Sequence, residues 1–202
     1  MMDGVLSCFT DAQRLRLESA RIGIAGAGGL GSNAAMMLVR SGVGHLVLVD
    51  CDTVEASNLN RQHYFPGHVG QPKVEALKQQ LLALNRDLDV ETRMMRLDEK
   101  NIPSMLAAAE LWIEALDDAA VKTIFASAAL AAGKPVICGS GIGGFGGFAM
   151  KRRRLGCMTV VGDMQTDVAA RPALAPRVMQ CAAMQADAAL EWLLTGTIKE
   201  LL

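Results

Sequence analysis

An α/β fold, in which a mostly parallel β-sheet carries helices on both faces, is predicted from the order of segments along the chain. Short apolar runs that suit buried parallel strands alternate with amphipathic helices, and the connections between them are short. Glycine and proline mark several of the predicted helix ends. The last part of the chain departs from this alternation, so we expect its strands to be partly antiparallel.

The predicted strands are short, apolar and bounded by turn-forming residues. They are expected at residues 21–26, 45–50, 88–95, 111–115 and 135–138. A glycine-rich segment at residues 139–147 follows the fifth strand, and two late strands are predicted at residues 148–150 and 157–161. The basic run at residues 151–154 lies between these two strands, and we interpret it as a solvated turn.

Capping residues mark the ends of several predicted helices. Thr10 is placed to cap the first helix, and Gly42 ends the second. Pro72 opens the third, because a proline in the first turn loses no backbone hydrogen bond. The helices are expected at residues 10–20, 31–41, 72–85, 101–109, 118–132 and 176–194. Residues 162–171 are polar and are predicted to form a mobile loop.

A glycine loop joins the first predicted strand to the second helix, where Gly26, Gly28 and Gly31 form a G-x-G-x-x-G pattern. The first glycine permits the tight turn, the second lets a phosphate approach the backbone, and the third lets helix and strand pack closely. Asp50 ends the next strand, where a carboxylate can hold a ribose hydroxyl. The pattern predicts a Rossmann-like nucleotide site, and the commonest ligand of such a site is a nicotinamide or flavin dinucleotide.

The segment after Asp50 carries more polar chemistry than dinucleotide binding requires. The added side chains that suit phosphate and ribose groups are Asp52, Asn58, Asn60, Arg61 and Gln62. Arg61 offers a planar fork of donors, and Lys73, just past a proline at a helix start, offers a compact positive charge. Each cation alone would be interpreted as a solvated surface charge. Because both follow the same nucleotide loop, together they favour phosphate chemistry over simple cofactor docking.

Length and composition limit the class of protein. The chain has 202 residues and a formal net charge of -1, which points to no nucleic-acid or membrane-surface partner. The N-terminus lacks signal-peptide features and no apolar stretch reaches the ~20 residues of a membrane span, so we expect a soluble cytoplasmic protein. The length predicts one domain, residues 1–202, with an N-terminal helix (1–20), a nucleotide-binding core (21–150) and a C-terminal strand, loop and helix (151–202).

These motifs resemble those of the ThiF/MoeB proteins, the bacterial relatives of the ubiquitin-activating enzymes. The resemblance extends over residues 20–147 and rests on the glycine loop, the segment at 50–62, the Gly-Gln-Pro-Lys run at 70–73 and the acidic run at 114–118. The family adenylates the C-terminal glycine carboxylate of a small ubiquitin-like sulfur carrier, consuming ATP with Mg²⁺ and releasing pyrophosphate. The resemblance therefore implies an ATP-dependent adenylyltransferase.

The resemblance also implies roles for individual residues. Arg61, Lys73 and Asp117 would act in catalysis, and Asp117 would also hold the magnesium ion. The residues expected to bind ATP are Gly26, Gly28, Gly29, Gly31, Asp50, Asp52, Asn58 and Gln62. Because the carrier carboxylate and the triphosphate are both anionic, cations must offset their repulsion. A carboxylate is already ionised at neutral pH, so no general base is needed.

The five cysteines are scattered and form no C-x-x-C pair, which argues against a disulfide framework and a zinc knuckle. Longer ThiF/MoeB members bind zinc through two such pairs. We therefore expect no zinc, and the chain resembles the short zinc-free ThiF subgroup found beside thiamine-synthesis genes. Cys157 is the candidate for a transferable cysteine, although a buried strand position is the preferred interpretation. Cys138 and Cys181 are expected to be core residues.

A ThiS-like sulfur carrier ending in Gly-Gly is the partner that the resemblance implies, and a homodimer is the implied assembly. Residues 139–147 are most simply a tight crossing of strands, or they floor a channel for the carrier tail with Phe145 and Phe148 as walls. Two other functions stay open: an NAD(P)-dependent oxidoreductase on the same fold, and a catalytically reduced protein that binds a nucleotide or a partner. A family variant that activates a tRNA base is a further alternative, although such proteins are usually longer.

Overall fold

The computed structural model describes residues 7–201. The strands are β1 (Arg21–Ala25), β2 (His45–Asp50), β3 (Asp89–Met94), β4 (Leu111–Glu114), β5 (Val136–Gly139), β6 (Lys151–Leu155) and β7 (Met158–Gly162). The helices are α1 (Asp11–Ser19), α2 (Gly29–Arg40), α3 (Lys73–Leu84), α4 (Ile102–Leu106), α5 (Ala119–Ala131) and α6 (Ala175–Thr195). Short 3-10 turns lie at Ala56–Asn58 and Pro66–His68.

One sheet contains all of these strands, in the order β3-β2-β1-β4-β5-β7-β6. Every neighbouring pair is parallel except β6 and β7, which are antiparallel. Ile24 of β1 pairs with Leu48 on one side and with Ile113 on the other. The predicted Rossmann-like α/β fold with late antiparallel strands is confirmed. The strand order reverses between β1 and β4, where such sheets open a crevice at the carboxyl ends of the strands.

Helices cover both faces of the sheet, as predicted. Helices α2, α3 and α6 pack on one face with Ile22 and Ile24 of β1, and α4 and α5 pack on the other. On the second face Trp112 is fully buried and meets Phe125 edge-on, with ring centroids 5.6 Å apart. Trp112 fits because Gly23 lies beside it, where a Cβ atom would stand only 2.4 Å from the indole ring. Among the described residues, no helix combines the length and the apolar character that a bilayer span requires.

Side chains cap the starts of two helices, at Thr10 as predicted and at Asp118. Gln13 N donates to Thr10 Oγ1 at 3.3 Å and Thr10 N donates to Gln13 Oε1 at 3.0 Å, which is a complete capping box. The side chain of Asp118 caps α5 by accepting from the backbone N–H groups of Ala120 and Val121 at 2.9 and 3.1 Å. This second cap fixes the end of the loop that follows β4.

The prediction for the basic run was wrong. Residues 151–154 belong to strand β6, and residues 148–150, predicted as a strand, lie outside any strand. The Arg152 side chain is only 3% exposed and pairs with Asp187 and Glu191 of α6, each at 2.5 Å. These acidic partners lie more than thirty residues away in sequence, so the local pattern could not show that an arginine here would be buried. Positive charge on an edge strand also discourages pairing with other chains.

Candidate nucleotide-binding site

A cleft of about 1020 Å³ opens at the carboxyl ends of β1, β2, β4 and β5. Its size suits a nucleotide, since ligand pockets commonly reach this volume. The predicted site residues that line it are Gly26, Gly28, Gly29, Asp50, Asp52, Arg61, Gln62, Lys73 and Asp117. Gly31 and Asn58 lie outside the lining. The fold therefore brings together most of a set that is spread over more than ninety residues of sequence.

Each of the three glycines in the loop is required for a different structural reason. Gly26 has φ +96°, and a Cβ there would lie 2.5 Å from the carbonyl oxygen of Ala115. A Cβ on Gly31 would lie 1.8 Å from Gly26 O, so this glycine serves the packing of α2 against β1. At Gly28 the nearest atom to an added Cβ is Gln62 Nε2 at 3.7 Å, which leaves the backbone open to the cleft. The second glycine is the one that a phosphate can approach.

Asp50 ties the end of β2 to the glycine loop. Its carboxylate accepts from Ala27 N at 2.6 Å and from Asp52 N at 2.8 Å, one bond to each oxygen. Burial raises the pKa of Asp50 above its ordinary value, while these N–H groups and the charge of Lys73 oppose the rise. Each carboxylate oxygen keeps a further lone pair, so the group can still accept from a ribose hydroxyl.

Lys73 and Asp52 form an ion pair at the wall of the cleft, where Nζ lies 2.8 Å from Oδ2. The hydrogen bond from Lys73 holds the pKa of Asp52 below its ordinary value. Lys73 is the first residue of α3 and only 6% exposed, and its backbone N donates to Asp52 O at 2.9 Å. A bridge between Thr53 and Pro72 holds the same two segments together. The direction of the lysine is therefore set by the fold.

The segment at residues 58–62 supplies one further cation, Arg61, and two side-chain amides, Asn60 and Gln62, to the cleft. Arg61 Nη1 donates to Asn60 Oδ1 at 2.7 Å and to Ser57 O at 3.2 Å. Gln62 is buried and its Oε1 has no hydrogen-bond partner among the described residues, so it can accept a donor from a ligand. Asn58 is used locally, since its Oδ1 accepts from Glu55 N at 3.1 Å. Its predicted place beside the phosphates stays a prediction.

Three buried polar residues that the sequence interpretation missed hold this segment against the glycine loop. Asn33 Nδ2 donates to both Gly29 O at 2.7 Å and Arg61 O at 3.0 Å. Ser32 Oγ donates to Gly28 O and accepts from His63 N at 3.0 Å, just past the segment, and Tyr64 Oη donates to Ala27 O at 2.7 Å. Ser32 and Asn33 directly follow the third glycine of the pattern, and this position could have indicated from sequence that they support the site.

Asp117 faces the cleft from the loop after β4. The residue is exposed, and within residues 7–201 no hydrogen bond or ion pair engages its carboxylate. A free carboxylate beside a phosphate site is the donor type that Mg²⁺ prefers, so the residue fits the predicted metal role. In the described part of the chain, the acidic and thiol groups close enough to share an ion are Asp50, Cys51 and Asp52. Asp50 and Asp52 already have backbone and lysine partners.

Arg96, which the sequence interpretation did not single out, also lines the cleft. It lies in the segment after β3, at the same edge of the sheet, and its charge contributes to lowering the pKa of Asp52. Arg96 lies two residues beyond Met94, the end of a parallel strand, and this position could have indicated from sequence that it borders the cleft.

The cysteines differ in their surroundings. Cys138 and Cys181 are buried as predicted, and burial raises the pKa of each thiol to about 12. Cys157 directly precedes β7, is half-buried and borders a separate cavity of about 100 Å³. Cys51 lines the main cleft, and burial raises its pKa as well. A role of Cys157 as an intermediate therefore requires a substrate to reach a different surface from that of the nucleotide cleft.

Comparisons with known proteins place the chain in a family. The model of the ThiF family matches residues 4–201. The sulfur carrier protein ThiS adenylyltransferase of Bacillus subtilis is 35% identical over 191 residues, 90% of this chain and 56% of that protein. The adenylyltransferase and sulfurtransferase UBA4 of Yarrowia lipolytica is 37% identical over 134 residues, 66% of this chain and 34% of that protein. The chain thus spans from a third to just over half the length of these curated relatives.

Solved structures show the same fold. The tRNA N6-threonylcarbamoyladenosine dehydratase TcdA of Escherichia coli, in its complex with ATP, superposes with a TM-score of 0.88 at 18% sequence identity. The match covers 96% of this chain and 94% of that one. Together with the nearly complete match to the family model, these findings show that the chain belongs to the ThiF family.

Proposed function

We propose that the chain is an ATP-dependent adenylyltransferase that activates the C-terminal glycine of a ThiS-like sulfur carrier in thiamine (thiazole) biosynthesis. The observation that carries the proposal is the ammonium group of Lys73, held by Asp52 at 2.8 Å in a cleft that Arg61 and Gly28 also line. A dinucleotide oxidoreductase needs no such cation at the start of the helix that follows β2. The names of the relatives in the family support the same activity.

The proposed reaction joins two anions, which repel each other, and the cleft provides cations that reduce this repulsion. The carrier carboxylate attacks the α-phosphorus of ATP, a new oxygen–phosphorus bond forms, and pyrophosphate leaves with the electron pair. Lys73 and Arg61 offset the repulsion and stabilise the charge that develops during this displacement. The backbone N–H groups at the start of α2, next to the open face of Gly28, face the same region. Asp50 holds the ribose.

Magnesium fits the site through Asp117, whose carboxylate is exposed to the cleft. A bound Mg²⁺ would neutralise phosphate charge and orient the pyrophosphate leaving group. The protein's own contribution is to keep the Asp117 carboxylate directed into the cleft. The cap of α5 by Asp118, the next residue, supports this orientation.

The far end of the cleft offers a path for an extended carrier tail. Gly139, Gly141 and Ile142 line it. A Cβ atom on Gly139 would meet Leu30 at 2.5 Å and one on Gly141 would meet Asp163 at 2.0 Å, so the two glycines let the floor of this path pack tightly. Phe145 and Phe148 lie beyond and are 82% and 53% exposed. Exposed aromatic groups suit a docking protein with an apolar surface. We propose that the chain acts here as one adenylation domain and, like the ThiF/MoeB proteins it resembles, as a homodimer.

ATP–pyrophosphate exchange tests the proposal directly. We expect exchange that depends on Mg²⁺ and on a carrier ending in Gly-Gly, together with a carrier acyl-adenylate visible by mass spectrometry. The matched control is the same carrier without its two terminal glycines, which should support neither signal. Failure of exchange and of adenylate formation with every ThiS-like carrier tried would overturn the proposal. Repeating the mass spectrometry with Cys157→Ser would show whether a thiol adduct needs this residue.

Nucleotide preference separates the proposal from the alternatives. Tight NAD binding without a requirement for magnesium would indicate the oxidoreductase, and ATP binding without turnover would indicate a catalytically reduced binding protein. The proposed enzyme should prefer ATP with Mg²⁺ over NAD in the same titration.

A further inference from the structure

An ion pair between a buried carboxylate and a partly exposed lysine lies next to the loop that carries Asp117. Glu114, the last residue of β4, is only 1% exposed, and Lys122 of α5 reaches it with Nζ 2.9 Å from Oε1 and 2.8 Å from Oε2. Both partners also bind the backbone of Leu116: its N–H donates to Glu114 Oε1 at 2.8 Å, and its carbonyl accepts from Lys122 Nζ at 3.2 Å. The residue immediately before Asp117 is thus held at both of its backbone polar groups.

The hydrogen-bond geometry distinguishes Lys122 from a cation that binds phosphate. An ammonium group has three N–H donors, and the three acceptors around Lys122 are the two oxygens of Glu114 and the carbonyl of Leu116. Although Lys122 lines the cleft, its donors are directed at the loop. Lys73 differs, because its one side-chain partner is a single oxygen of Asp52.

The other side of Asp117 is held as well. Asp118 caps α5 through the backbone N–H groups of Ala120 and Val121. Behind the ion pair, Gln185 Nε2 of α6 donates to the carbonyl of Glu114 at 2.9 Å. Asp117 therefore stands between two anchored neighbours, and its carboxylate, unlike that of Asp118, has no hydrogen-bond partner among the described residues. Replacing both partners of a buried ion pair by apolar residues is often neutral or stabilising, so stability alone does not account for this pair, although loss of Lys122 alone would leave the buried carboxylate of Glu114 unpaired.

We propose that Lys122 is a positioning residue of the site, which acts through Glu114 and Leu116 to direct the carboxylate of Asp117 toward the metal and phosphates. The inference rests on the function proposed above, and in particular on Asp117 as the metal ligand. Residues that support a metal ligand from behind change metal affinity by about 10- to 100-fold when they are lost.

Metal affinity is the decisive measurement, because a purely structural role would leave it unchanged. Mn²⁺ binding is followed by electron paramagnetic resonance in the presence of a non-hydrolysable ATP analogue. We expect Lys122→Met to weaken Mn²⁺ binding about tenfold and to raise the Mg²⁺ concentration for half-maximal exchange by a similar factor. Lys122→Arg keeps the charge and the donors, so it should restore most of the affinity. Lys78→Met, on α3 and outside the cleft lining, is the matched control and should behave as wild type.

Several results would overturn the inference. A folded Lys122→Met protein with wild-type Mn²⁺ affinity would do so, and so would an arginine variant as weak as the methionine variant. If the methionine variant does not fold, Lys122→Gln takes its place and must show the same loss. A wild-type protein that holds no Mn²⁺ with the analogue would overturn this inference, whereas one that holds Mn²⁺ but performs no exchange would contradict only the proposed function.

Discussion

Asp52 holds Lys73 by two separate bonds, one from the backbone and one from the side chain. The amide of Lys73 donates to Asp52 O at 2.9 Å, and its ammonium lies 2.8 Å from Oδ2. The lysine side chain is 8% exposed and the aspartate side chain 51% exposed, so the pair joins a buried stem to an open cleft wall. The ammonium keeps two donors for a phosphate. Asp52, expected from sequence to contact the nucleotide, orients the cation as well.

Replacing Lys73 by methionine should remove catalysis and keep the fold. Methionine preserves the buried stem, and the partner Asp52 is half exposed, so the lost ion pair should change stability by less than about 1 kcal/mol. The charge at the phosphates would be gone, and we expect ATP–pyrophosphate exchange to fall about 100- to 1000-fold. Exchange rates and urea unfolding measure the two effects. Lys78→Met on the same helix serves as control, and exchange within a few-fold of wild type in the Lys73 variant would remove Lys73 from the mechanism.

Alanine at Gly28 and at Gly31 should separate binding from folding. At Gly31 the new Cβ would lie 1.8 Å from Gly26 O, so α2 must move from β1 and we expect a loss of about 3 kcal/mol in the free energy of unfolding. At Gly28, φ is -82° and the nearest atom is 3.7 Å away, so the stability should change by only about 1 kcal/mol. The methyl group there faces the approach of a phosphate and should weaken ATP binding. Unfolding curves and ATP titrations that rank the two variants in the opposite order would contradict this division.

The parts of the fold and site that sequence predicted correctly are those with local signals. The strand at His45–Asp50 and the helix starts beside Thr10 and Pro72 are examples, because a helix cap or a strand end is determined by a few neighbouring residues. The glycine loop and Asp50 belong together through one strand–helix–strand unit, and their proximity followed from that spacing.

The features that sequence reasoning missed depend on contacts between distant residues. Arg152 is buried because Asp187 and Glu191 come to it from α6, and nothing near residue 152 indicates this. Asn33 bridges to Arg61 across 28 positions of sequence. A pattern of residue types along a chain shows which groups a segment offers, but the partners that those groups meet are decided by the packing of the whole sheet.

Arg152 should matter for stability although it lies in an edge strand. Its side chain is 3% exposed and pairs with Asp187 and Glu191, so Arg152→Met would leave Glu191, itself 20% exposed, without its cation. We expect a loss of about 3 kcal/mol in the free energy of unfolding. The exposed neighbour Arg153 provides the matched control, and Arg153→Met should change stability by about 0.5 kcal/mol or less. Equal unfolding midpoints in urea for the two variants would show that the buried pair contributes little.

Protonation of Asp163 should contribute to the loss of stability of the protein in acid. Burial raises the pKa of its carboxyl, but the N–H groups of Thr166 and Gln165, the Thr166 hydroxyl and the charge of Arg177 together hold the pKa below its ordinary value. The unfolded chain then binds more protons than the folded one, so the stabilisation is complete above the ordinary pKa and is lost as pH falls through the folded one. Between about pH 5 and pH 3 the free energy of unfolding should fall less steeply in Asp163→Asn than in wild type. Urea unfolding across this range measures the slope, Asp87→Asn at an exposed site should keep the wild-type slope, and parallel wild-type and Asp163→Asn curves would contradict the assignment.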